Sequence, residues 1–192
     1  MKKATTPPDL DGFLDMIRQT KDEPDRGRAL VLTAWLDDAL DQYMRTRVVD
    51  DKKVIESLFD GDRPLSTFSA RINAAYAFAY ISNGVFRDLH AIRNIRNRFA
   101  HERALLTFED QSIKDMCHNL DVIQKHLATN PVHRMTKPSG EFLLATLLYT
   151  SFFIGLSDER PHKRFMGGTE EQLLIHDVIP RIMDAYEKSV AA

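Results

Sequence analysis

Apolar residues recur at three- and four-residue steps along almost the whole chain, and no segment sustains the on-off alternation of a β-strand. A chain patterned in this way has to bury helical stripes against one another, so helix-on-helix packing is the architecture left open to it. Leu10, Phe13, Leu14 and Ile17 form a short first stripe that ends near Pro24. A longer helix follows, with Leu30, Ala34, Leu40 and Tyr43 as inward candidates. Asp50 is placed to cap a short helix carrying Val54, Ile55 and Leu58.

The segment Asp60-Gly61-Asp62-Arg63-Pro64 interrupts the pattern, because glycine and proline both stop regular structure. A helix is predicted from Ser66 to Tyr80, with Phe68, Ile72, Ala75, Tyr76 and Ala79 on one side. A turn near Ser82-Asn83-Gly84 leads to a helix from about Val85 to Glu102. Thr107 with Asp110 resembles a capping box opening a helix that bears Ile113, Met116, Leu120 and Ile123. Pro131 to Gly140 reads as a loop, after which Ser139 opens an apolar helix through Leu156. Asp158 to Gly168 reads as a charged loop, and Thr169 with Gln172 as a second capping box before a last helix that Pro180 kinks. No repeat or linker divides the chain. The expected fold is all-α: one helical domain over residues 1–192, a bundle of about seven or eight helices, with residues 1–24 as an N-terminal extension.

Composition narrows the function classes. A net charge of −2 supplies no general field for nucleic acid, so such binding would need a local patch. The single cysteine, Cys117, excludes an intrachain disulfide and a cysteine-based zinc cluster. The seven histidines are scattered, and neither a metal-ligand set nor a glycine-rich phosphate loop occurs, so no metal and no cofactor is expected. Asp37 and Asp41 share a helical face and are expected to pair with an arginine such as Arg71 or Arg96. Met1-Lys2-Lys3 and the prolines after it lack the apolar run of a signal peptide. The uncharged stretch Phe142 to Leu156 is short for a membrane span and reads as a core helix. A cytoplasmic protein without a membrane partner is the expectation.

The most informative stretch runs from Arg87 to Arg103. Five arginines and two histidines stand there against only Asp88 and Glu102. Val85, Leu89, Ile92, Ile95 and Phe99 keep its inner face apolar. Arg93, Arg98 and Arg103 are candidate contacts for phosphate or carboxylate groups, including those of nucleic acid. The clusters around Arg134 and Arg160 to Arg164 read as solvated loops.

Arg96-Asn97-Arg98-Phe99-Ala100-His101 resembles the active-site motif of the HEPN superfamily, helical proteins that include metal-independent ribonucleases. The resemblance implies that Arg96 holds phosphate, Asn97 orients and His101 moves protons, with two copies of the motif facing each other in a homodimer. On an ideal helix Arg96 and His101 project roughly 140° apart, so a catalytic pair requires a frayed helix end or a second subunit. The structural alternative has Arg96 paired with a buried carboxylate while Asn97 and His101 fix the following turn.

A wider set of blocks stands in order: Gly27 to Val31, Trp35 to Asp38, Leu58 to Gly61, Pro64 to Ile72, Ala75-Tyr76, Ile81-Ser82 and Arg87 to His101. Together they are similar to the mannitol operon repressor (MtlR) family, itself helical and HEPN-like. The resemblance implies a regulator that represses genes for mannitol uptake and oxidation. No segment reads as a compact helix-turn-helix. A regulator that binds an unknown protein partner is therefore the leading expectation, with catalysis disfavoured. An endoribonuclease using Arg96, Asn97 and His101, or an RNA-binding module, is the alternative.

Overall fold

A computed structural model describes residues 10–20, 22–102, 105–127 and 137–157. Among them the chain forms seven α-helices and one short π-helical turn, with no strand. The helices are α1 (Leu10–Gln19), α2 (Asp25–Arg45), α3 (Lys52–Phe59), α4 (Phe68–Ala77), α5 (Asn83–His101), α6 (Gln111–His118) and α7 (Pro138–Ser157). The π-helical turn, Ile123–Leu127, follows α6. The all-helical expectation holds. The loop and helix predicted beyond Ser157, Arg103 and most of the Pro131 to Gly140 loop lie outside the described residues.

Side-chain caps set the starts of α3, α4 and α5. Asp51, one residue later than predicted, caps α3 by accepting from the amides of Lys53 at 2.8 Å and Val54 at 3.3 Å. Thr67 caps α4 through Ala70 N at 3.2 Å, and Ser82 caps α5 through Val85 N at 3.4 Å. Asp110 reaches back to the amide of Thr107 at 2.6 Å and its hydroxyl at 2.9 Å, which is the returning half of a capping box. The helix itself begins after Asp110, and it stops at His118, so Leu120 and Ile123 belong to the next turn.

The apolar helix α7 is the centre of the domain. Its buried residues include Phe142, Leu147, Leu148, Phe152 and Phe153, which leaves it no polar face. By length and composition it could cross a membrane, but 67% of that window is buried inside the fold, as a core helix requires. It packs chiefly on α2, which also meets α4 and α5. The inward face of α2 is Ala29, Leu32, Thr33, Leu36, Ala39, Leu40, Tyr43 and Met44. Ala34, predicted inward, is instead exposed at the domain surface, because α7 and α5 cover the neighbouring stripe. Aromatic contacts run from Phe99 to Phe108 at 4.8 Å and on to Phe142 at 5.2 Å between ring centroids. Cys117 is fully buried, and burial pushes its thiol up to about 12, so it is a packing residue rather than a nucleophile.

The end of α4 departs from the prediction for a specific reason. Ala79 adopts φ 56°, the left-handed region, and the chain leaves the helix there. The amide of Ala79 bonds to the carbonyl of Tyr76 at 3.0 Å and that of Tyr80 to Ala75 at 2.8 Å, the pair that defines a Schellman cap. Tyr76 is therefore 42% exposed, and Ala79 does not join the buried face. An alanine at this position carries a steric penalty that glycine lacks, partly offset by glycine's greater freedom when unfolded. Ala79→Gly should stabilise the protein by about 0.5–1 kcal/mol, seen as a rise of about 2–4 °C per kcal/mol in thermal melting. A lower melting temperature would show that the left-handed cap does not form.

Candidate functional site

Three helices converge on a cleft of about 490 Å³. Helix α2 contributes Thr33, Ala34, Asp37 and Asp38, two pairs spaced four residues apart on one face. The start of α4 contributes Ser66, Thr67, Phe68 and Ser69. Helix α5 contributes Arg93, Arg96 and Asn97, which share a stripe at spacings of three and four.

A buried arginine holds these walls together. Arg71 on α4 is 6% exposed and pairs with Asp37, while its Nη1 lies 3.3 Å from Asp41. The same Nη1 donates to the carbonyl of Leu65 at 2.8 Å, which fixes the segment leading into α4 against α2. The expected ion pair is thus made with Arg71. Burial pushes the Asp37 carboxyl above its ordinary value, against the opposing pull of Arg71, with Asp41 raising it further and Arg96 lowering it.

The arginines of α5 divide into two groups. Arg87 meets Asp121 at 2.5 Å, and Arg98 meets Glu102 at 2.6 Å and the Ser112 hydroxyl at 2.6 Å. Arg93 and Arg96 make no ion pair among the described residues. Arg93 donates to Asn94 Oδ1 at 3.4 Å, and Arg96 donates to Asn97 Oδ1 at 2.9 Å. Arg98, by sequence a candidate anion contact beside Arg93, is turned by its two partners toward its own helix end and α6. The structure brings Arg93, Arg96 and Asn97 together and leaves Arg98 and His101 off the cleft wall. His101 is the exposed last residue of α5. The separation follows from the helical geometry that sets Arg96 and His101 on different faces. Arg96 is exposed rather than paired with a buried carboxylate.

Two further positions escaped the sequence reading. Asp88, 2% exposed, accepts from the amides of Asp121 at 2.6 Å and Val122 at 2.9 Å and from the Tyr149 hydroxyl at 2.6 Å. Burial raises its pKa in opposition to those three bonds. Its only sequence signal was an acidic residue on the buried side of a basic helix. Arg26 donates to the carbonyls of Phe99 and Glu102, satisfying orphan acceptors at the end of α5, and nothing local announces that role.

Among the described residues no three histidine, cysteine, aspartate or glutamate side chains gather as a metal ion would require. The cleft instead offers carboxylate and hydroxyl oxygens on two walls and guanidinium donors on the third. That set suits recognition by hydrogen bonds and charge. A family model described as mannitol repressor matches residues 18–160. No curated protein and no solved structure matches the chain.

Proposed function

The chain belongs to the mannitol repressor family, and from that premise we propose that it represses a mannitol operon in the cytoplasm by associating with a protein partner. The observation that carries partner-mediated action is the disposition of α5. Its apolar residues Val85, Leu89, Ile92, Ile95 and Phe99 are buried, and Arg87 and Arg98 are engaged with carboxylates of the same domain. A helix that reads a major groove needs an open face and a row of available donors. Of its arginines, helix α5 keeps Arg93 and Arg96 available, and both face a cleft that also carries Asp37 and Asp38.

The alternative, a metal-independent endoribonuclease, retains Arg96 and Asn97 as phosphate-facing groups. It takes its proton carrier from His101, which is not on the cleft wall of the same chain, so that reading requires a second copy in a homodimer.

Deleting the gene should raise mannitol-operon transcript in cells grown without mannitol. The purified chain should bind the operon's promoter no more tightly than unrelated DNA at matched salt. Unchanged transcript would remove the regulatory reading. Sequence-specific binding by the purified chain alone would replace the protein partner with direct DNA contact. Labelled RNA should survive incubation with wild type and His101→Ala in chelator alike; cleavage by wild type alone would favour the ribonuclease.

A further inference from the structure

We propose that the cleft between α2, α4 and α5 is a binding site for a small phosphorylated polyol, with Arg93 and Arg96 taking the phosphate and the opposite walls taking the hydroxyls. The binding claim rests on the cleft itself; only a consequence for transcription would depend on the regulatory reading. Arg93 and Arg96 meet no carboxylate within ion-pair distance among the described residues, and their side-chain partners are neutral asparagine amides. Two guanidiniums held on one helical stripe, three residues apart, form a fork-like donor set suited to a phosphate. The asparagine contacts orient them without neutralising them.

The walls supplied by α2 and the start of α4 have different chemistry. The hydroxyls of Ser66 and Ser69 and the carboxylates of Asp37 and Asp38 line the same cleft. Hydroxyls of a polyol donate to carboxylates and exchange hydrogen bonds with serines, so these walls match a hydroxylated carbon chain. Arg71, behind the wall, compensates the charge of Asp37. Inorganic phosphate would use only the guanidiniums, and a free polyol only the carboxylates and hydroxyls. A nucleic-acid strand would carry further phosphates past Asp37 and Asp38. The cleft volume of about 490 Å³ lies within the range of sites for single small molecules, about 300–1,000 Å³.

The test is calorimetric titration of the full-length purified chain with a hexitol phosphate, the free hexitol, inorganic phosphate and a short single-stranded RNA. Arg93→Gln and Arg96→Gln are measured in parallel, with circular dichroism and melting temperature as checks of folding. Both arginines project at the surface side of α5, so these variants should fold. The hexitol phosphate should bind at least about tenfold more tightly than the hexitol or phosphate alone, and each variant should lose about tenfold or more, the scale of one charge-assisted hydrogen bond. No binding of the hexitol phosphate at about 1 mM would overturn the proposal. So would undiminished binding in both folded variants, or equal affinity for inorganic phosphate. RNA binding that depends on Arg96 in the absence of hexitol phosphate binding would assign the cleft to nucleic acid instead. A positive titration together with unchanged operon transcript on gene deletion would leave the site standing and remove the regulatory reading alone.

Discussion

Asp88→Ala should lower stability by about 3–4 kcal/mol in urea denaturation, the largest loss expected from any single polar substitution in this domain. The carboxylate joins three elements: α5, the turn that follows α6, and α7. Its removal breaks the bond from the Tyr149 hydroxyl and strands the amides of Asp121 and Val122, each of which costs about 1–3 kcal/mol when left buried without a partner. The total lies below the simple sum because the Asp121 amide is only partly buried and water can reach it. Tyr149→Phe removes one donor along with its bond and should cost only about 1–2 kcal/mol. The double variant should be less damaging than the two single losses added together, since both delete the same 2.6 Å bond. Strict additivity, or a loss under about 1 kcal/mol for Asp88→Ala, would show that the carboxylate does not hold these elements together.

Arg71→Leu should cost about 3 kcal/mol, the lower end of the range for breaking a buried ion pair. The lower end applies because the Asp37 side chain is 30% exposed and water can partly solvate it once the guanidinium is gone. The loss has a pH signature. Asp37 already has a pKa above its ordinary 3.8 in the folded protein, chiefly through burial, and Arg71 is the main influence holding it down. A carboxyl with a raised folded-state pKa binds protons more readily when folded. Its contribution to stability is therefore fully present below 3.8 and declines as pH rises through the folded value. Without Arg71 the folded value rises further, so the deficit of Arg71→Leu relative to wild type should grow between about pH 4 and pH 7. Asp37→Asn in the same background should flatten that dependence. A deficit independent of pH would mean that the damage comes from lost packing and the lost bond to Leu65, rather than from an unpaired carboxylate.

Both substitutions lie outside the Arg96 to His101 motif, and the reason is physical. Helices and most of their starts were legible because they depend on contiguous residues. The three- and four-residue apolar spacing and the Gly61 break act within a turn or two of chain, and so do the Thr67 and Ser82 caps, which the sequence reading does not single out. At the end of α4 the sequence misleads because Ala79 takes a conformation that usually calls for glycine, so the residue type conceals the cap. Membership of the family was legible too, since it is carried by ordered blocks of sequence.

The site was legible in fragments. Arg93, Arg96 and Asn97 could be placed on one stretch of helix, and Asp37 with Asp41 on another. That the first group faces Asp37, Asp38, Ser66 and Ser69 across a cleft was decided by how α2, α4 and α5 rotate and slide against one another. The same packing joined Arg71 to Asp37 across 34 residues of chain, and Asp88 to Tyr149 across 61. Periodicity records which face of a helix is apolar but not which partner covers it, because hydrophobic burial is non-directional. The sequence by itself determined the helical elements, their caps and the family. Only the tertiary structure decided which charges neutralise one another and which are left facing open space, since a charged group's partners depend on distances of a few ångströms between segments far apart in the chain.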